Sequence, residues 1–205
     1  MHKVEKVMDQ EQRTLYENIQ ATKEQLSQVE LEYWNLYSSF TTLEFWVIFL
    51  LFFVAPLVVL YFVIDRRRIF LLGFYGFNIH VWFGYIDTAG DRMGFWGYPF
   101  EMIPFLSGNI SLEAALVPIL FMLVYQWTLN HKKNFYVYSL LLSVLLSFIV
   151  KPLLTMHLFF ELHNGTTYVH LFILYVIIFL FSKLITNVFI KMHRNAKLES
   201  ELVEE

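Results

Sequence analysis

The sequence predicts an all-α integral membrane protein, with about five transmembrane helices in one bundle and an amphipathic helix of heptad character outside the membrane core. Three observations predict it. Over 205 residues the chain is 57% hydrophobic and 19% aromatic but only 16% charged, too little charge to cover a soluble domain of this size. Its apolar residues gather in five runs of 18 to 24 positions, each long enough as a helix to cross a hydrocarbon core of about 30 Å. Residues 1–40, by contrast, are polar, lack proline and glycine, and carry apolar side chains every three or four positions.

That N-terminal segment is the first element. Leu15, Ile19, Leu26, Val29, Tyr33 and Leu36 mark one helical stripe. Extended back to Met8 and Val4, with Thr22 inside the seam, the stripe reads as short heptads over residues 4–36. Two uses fit it: a helix lying on the membrane or on its own bundle, and a coiled coil that joins a second copy or another membrane protein. Seven acids outnumber Lys3, Lys6, Arg13 and Lys23 there, so anionic lipid would repel it. With no apolar core in the first forty residues, no cleavable signal peptide is expected.

The membrane domain, residues 41–190, follows, with spans expected at about 43–64, 69–86, 112–129, 135–158 and 167–190; residues 191–205 form a charged tail. Pro56 lies inside the first span, and a membrane helix tolerates it. The second span holds Asn78, His80 and three glycines, Gly73, Gly76 and Gly84, which clear one face for close packing on a neighbour. Between spans two and three runs Asp87–Glu113, with four carboxylates, two prolines and four glycines, a composition suited to a fixed cap rather than a loose connector. Its residues Trp96, Tyr98, Pro99 and Glu101 are candidate loop residues, and Trp82, Trp96 and Tyr98 are expected in an interfacial aromatic belt.

Five spans put the loops on alternate sides. One side receives Arg66, Arg67, Arg68, Lys132, Lys133, Lys191, Arg194 and Lys197; the other receives Arg92 and the distant Lys23. Basic residues near spans favour the cytoplasm, so the C-terminus is expected inside. The N-terminal helix, the Asp87–Glu113 loop and the loop around His163 are then expected outside.

The same topology gathers Asp87, Glu101, Glu113, Lys151, His157, Glu161, His163 and His170 at one end. Lys151 lies between Phe-Ile-Val and Pro-Leu-Leu, too deep for a casual surface lysine, and ionised residues at such depth face a partner. Three readings stand open: a structural ion pair of Glu113 with Lys151, a charge lining a cavity, and snorkelling to the headgroups. His157 and Glu161, four apart, would share a helix face, with His163 and His170 beyond; a zinc site could be assembled from the four, but no recognised metal spacing accompanies them. The absence of cysteine excludes disulfides and thiolate chemistry, and a net charge of −3 argues against a nucleic-acid partner. No glycine-rich phosphate loop, nucleophile elbow or internal duplication is present, and no cofactor is expected.

From Gly84-Tyr-Ile-Asp87 through Phe95–Trp127, then Ser147–Leu154 and Tyr168–Tyr175, the chain resembles a family of uncharacterised multi-span membrane proteins of Bacillus and Clostridium relatives. The resemblance covers roughly Leu71 to Asn187. It rests on Asp87, Tyr98-Pro99, Pro104, an acid near Glu113, Pro118 and the pair Tyr125-Gln126, and it implies a bacterial plasma membrane. The family usually has an acid where this chain has Lys151 before Pro152; if that acid shares a proton or cation with a second carboxylate, the lysine replaces that cation with a tethered one, which argues against ion translocation. A weaker likeness is to the membrane domain of bacterial lycopene cyclases, which would imply acid catalysis with Glu113 as the acid and Lys151 or Asp87 assisting; the double acid of that motif is here Glu113-Ala114. Three function classes follow. The first is a structural or partner-binding membrane protein with an outward-facing polar site. The second is a membrane enzyme acting on a lipid or isoprenoid through Glu113, Lys151 and Asp87, and the third a small carrier or channel.

Overall fold

The computed structural model describes residues 8–106 and 108–203, with side-chain surroundings up to residue 196; Val4 of the heptad stripe and Ser107 of the long loop lie outside the described residues. Six helices follow one another: α1 (Gln10–Tyr37), α2 (Leu43–Val63), α3 (Ile69–Arg92), α4 (Leu112–Asn130), α5 (Phe135–Met156) and α6 (Tyr168–Val203). By length and composition α2 to α6 supply the five membrane-crossing segments. Helices α3, α4, α5 and α6 close a ring in which each packs on the next and α6 returns to α3, while α2 leans on α4 from outside. Tyr75, Phe121, Leu146 and Ile178 fill the ring. Ser139, Ser143 and Ser147 of α5 and Ser182 and Thr186 of α6 are fully buried, small side chains that let neighbouring helices approach closely.

Each of α2, α4 and α5 contains a widened turn, at Ile48–Val54, Leu112–Leu116 and Leu146–Val150. Pro56, Pro118 and Pro152 follow within two residues. Proline has no N–H to donate and its ring collides with the carbonyl one turn back; widening that turn moves the carbonyl clear. In α4 the Val117 N–H goes to the Leu112 carbonyl. The Glu113 carbonyl, facing the missing N–H of Pro118, instead accepts from His80 Nδ1 at 2.9 Å. His80 is thereby a helix-to-helix tie between α3 and α4.

Two boundaries differ from the sequence expectation in ways that matter. The second span does not stop at Ile86: α3 continues to Arg92, so Asp87 sits on a buried helix face and not in the loop. The fourth span stops at Met156, with His157 as its C-cap and Leu158 at φ 60°. His157 and Glu161 therefore share no helix face, because Glu161 belongs to a strand, β2 (Glu161–Leu162). That strand pairs antiparallel with β1 (Trp96–Gly97) of the long loop, Trp96 opposite Leu162 and Gly97 opposite Glu161. Hydrogen bonds from His163 N to Phe95 O (2.9 Å) and from Asn164 Nδ2 to Gly94 O (2.7 Å) extend the seam. Two connections far apart in sequence are thus laced into one cap at the loop end of the bundle.

The glycines of α3 divide by environment. A Cβ on Gly76 would strike Met122 and one on Gly84 would lie 3.2 Å from Glu113, so both pack on α4; Gly73 faces open space and carries none of the expected packing. The N-terminal helix starts on an Asp9 cap, whose carboxylate accepts from Gln12 N at 2.7 Å, and contains no buried residue. Its end alone is docked, through Trp34 Nε1–H to Glu101 O (3.1 Å) and Ser38 Oγ to Pro99 O (3.4 Å).

A buried charged centre beneath the loop cap

Asp87 is the hub. It is 4% exposed, and both oxygens accept from the loop cap: Oδ1 from Trp96 Nε1–H (3.0 Å) and Tyr98 O–H (2.7 Å), Oδ2 from the Asn109 N–H (3.3 Å). A buried carboxylate needs such donors to offset its lost hydration. Lys151, also 4% exposed, donates from Nζ to Tyr98 Oη at 3.1 Å and stands 3.5 Å from the centroid of the Phe160 ring, a cation–π contact in a desolvated setting. Tyr98 therefore relays between ammonium and carboxylate. Burial, followed by the charge of Asp87, pushes its hydroxyl well above its ordinary pKa, which keeps it a donor.

Glu113, 8% exposed, brings its carboxyl group to the same place from the first turn of α4. Gly108, at φ +88°, lets the loop pass beside both acids: a Cβ there would overlap Glu113 Oε1 and lie 2.8 Å from Asp87 Oδ2. Oε1 of Glu113 has no hydrogen-bond donor. Among the described residues there is no direct Glu113–Lys151 ion pair; the lysine connects to Asp87 through the Tyr98 hydroxyl that lies between them. Two acids face one lysine, so the fully ionised trio holds one uncompensated negative charge, and one proton retained by the carboxyl pair makes it neutral. The remaining free space beside Asp87, Lys151, Trp96 and Tyr175 is about 20 Å³, room for about one water.

Trp96 and Tyr98 are not interfacial belt residues: both are buried and turned inward on Asp87. Exposure cannot be read from composition, but two aromatics with polar handles within eleven residues of an unpaired acid were the available signal. Sequence reasoning also missed Asn109, whose Oδ1 accepts from the backbone of Ser111 (3.2 Å) and Leu112 (3.3 Å) and from the Ser111 hydroxyl, as an asparagine ahead of a helix often does. It missed Phe160 and Lys183 too. Lys183, within the fifth span, donates to Tyr125 Oη at 2.6 Å. Gln126, beside Tyr125, closes the end of α2 by accepting from Asp65 N (2.7 Å) and donating to Val63 O (2.9 Å).

The four residues considered for zinc do not converge. Glu161 and His163 approach at 3.6 Å, His157 caps α5, and His170 accepts from its own turn at Thr167; no group of three or more such side chains is placed to hold a metal among the described residues. Glu101 lies above the centre, lining a crevice of about 250 Å³ between α1 and the loop with Glu30 and Asp91. Burial first, then the charges of Asp91, Glu30 and Asp87, push its carboxyl up to about 9 from 4.5. A carboxyl raised in the folded state contributes stability that is complete below the unfolded value and lost as pH climbs through the folded one. Docking of α1 on the loop is therefore expected to loosen between about pH 4.5 and 9. Hydrogen exchange of the Trp34 indole should accelerate over that window beyond its intrinsic pH dependence, and Glu101→Gln, which mimics the protonated form, should flatten the change.

No protein-family model matches the chain, and neither a curated protein nor a solved structure does.

Proposed function

We propose that the chain is a membrane-anchored association protein, in which the cap seats the end of α1 and leaves its seam exposed for pairing with α1 of a second copy. The observation that carries this is a 28-residue helix with no buried residue and an apolar seam that is largely exposed. Leu15, Ile19, Leu26, Val29 and Leu36 are each more than half exposed. They fall, with Gln12, Thr22 and Tyr33, on alternating a and d positions (Gln12, Ile19, Leu26, Tyr33; Leu15, Thr22, Val29, Leu36), the pattern two helices bury by supercoiling. The seam overhangs a groove of about 1000 Å³ walled by Phe105 and Arg92. The charged centre supports this reading too: its free space is only about 20 Å³, and its hydrogen bonds tie the cap on which α1 is seated to the helices beneath. In this reading the membrane is a bacterial plasma membrane and α1 faces outward, since the basic residues flank the opposite end.

The chain has no cysteine, so an introduced thiol reports alone. In membranes treated with an oxidant, full-length Leu26→Cys should form a disulfide-linked dimer, while Ser27→Cys, one position off the seam, should not. Adding Ile19→Lys to Leu26→Cys should abolish the dimer. Equal crosslinking at 26 and 27, or none at either, refutes the pairing.

A further inference from the structure

A second feature, independent of α1, lies on the flank of the bundle. Between the loop-end halves of α3 and α6 runs a cavity of about 490 Å³, within the size range of small-ligand sites. Its depth is apolar, with Ile86 and Ala89 on α3, Ile173 and Leu174 on α6, and Trp96 as its inner wall. Its polar groups gather at one end only, at Asn164, Thr166 and His170. No Lys, Arg, Asp or Glu lines it.

We infer that this groove binds a neutral, hydroxyl-headed membrane lipid, with the chain lying between α3 and α6 and the head at His170. Two properties of the groove select that class. Its polarity follows the bilayer: α3 and α6 are membrane-crossing segments, the apolar wall lies toward mid-span, and the polar end coincides with the loop end, where headgroups reside. A soluble ligand would have no use for such a gradient. The absence of a cationic side chain excludes a built phosphate site, since phosphate recognition draws on Arg, Lys or clustered N–H donors.

His170 supplies the head contact. Its Nδ1 accepts from the Thr167 N–H at 3.0 Å, which places the proton of the neutral ring on Nε2, the nitrogen that has no protein partner among the described residues. That N–H is a donor for a hydroxyl oxygen. The chain end of the groove stops against Ile86, Trp96 and Leu174, which also wall the small void at Asp87 and Lys151. Trp96 is thus a partition, with lipid on one face and the charged centre at its indole N–H.

The test uses the full chain in phosphatidylcholine nanodiscs doped with a diazirine-bearing hexadecanol, with labelled positions mapped by mass spectrometry. Labelling should concentrate on Met93 and Ile173, about fivefold above Met156, an exposed residue at the same end of α5. That ratio corresponds to one retained hydrogen bond. Ala89→Trp, at an exposed position on the groove wall, should remove the excess; His170→Ala should lower it about fivefold. Excess unlabelled hexadecanol should compete in the unaltered chain, which decides the matter even if a variant folds poorly. Uniform labelling, or labelling that neither variant nor competitor reduces, overturns the site. Equal excess labelling by a diazirine phosphatidylcholine overturns the neutral class by showing a groove for bulk acyl chains.

Discussion

Replacing Asp87 with alanine is expected to destabilise the protein by about 3–5 kcal/mol, the cost of removing one partner from a buried, hydrogen-bonded charge arrangement. The figure follows from what is left behind. Three donors, the Trp96 indole, the Tyr98 hydroxyl and the Asn109 N–H, lose their acceptor out of reach of water, and Lys151 keeps its Tyr98 and Phe160 contacts but loses the acid to which Tyr98 connects it, with Glu113 left as the one carboxyl at the centre. Thermal unfolding in detergent would show a markedly lowered Tm, with protease cleavage appearing first in the loop cap. Lys151→Met in the same chain should restore part of the loss, because it removes a buried charge whose hydrogen-bonded link to a carboxylate, through Tyr98, is gone. A double-mutant cycle should therefore give a coupling of about 1–3 kcal/mol. Independent, additive effects would show that the lysine and the aspartate do not communicate through Tyr98.

The second large effect is a reversal of sign along one helix. Gly→Ala in a helix interior ordinarily stabilises by about 0.5–1 kcal/mol, and Gly73→Ala on α3 should do so, for a Cβ there meets nothing within 4 Å. Gly90→Ala, five turns further along the same helix, should instead cost about 1–3 kcal/mol by overpacking. Its Cβ would fall inside the Trp96 indole, and that ring cannot swing aside without surrendering its bond to Asp87. Tm measured for the two variants side by side should move in opposite directions. A stabilised Gly90→Ala chain would mean that Trp96 is free to relocate.

The five spans were legible because their signal is contiguous: runs such as Leu43–Val63 are apolar on every side, and nothing but a bilayer and neighbouring helices accommodates that. The gathering of Asp87, Glu113 and Lys151 at one end followed from alternation of the loops alone. The contacts did not follow. Asp-Thr-Ala-Gly-Asp-Arg after Ile86 reads as the start of a loop by local composition, and it stays helical because Asp87 is paid for by donors that arrive from nine to twenty-two residues later. Trp96 and Tyr98 have a composition equally suited to the membrane interface, and only the antiparallel pairing with Glu161–Leu162, a contact across some sixty-five residues, turns them inward. A Glu113–Lys151 pair was one of three readings open for the lysine; its connection to Asp87 through one phenol hydroxyl is a contact that no spacing rule encodes. The widened turns were half legible: Pro56, Pro118 and Pro152 announce a disturbed ladder, but the register in which each helix absorbs it depends on tertiary partners such as His80.

The charged centre also dictates an order of assembly. Asp87 and Glu113 leave the ribosome in the second and third spans, and Lys151 follows 38 residues after Glu113, a delay of about 2–8 s at ordinary synthesis rates. Until then two acids sit in a three-span intermediate with no ammonium to face, and their burial at full depth is expected to be disfavoured. Phe160 and the strand at Glu161–Leu162 emerge only after Lys151. The fourth span thus delivers the cation and the strand behind it supplies the seam, but the ring itself closes last, when α6 follows and packs back on α3.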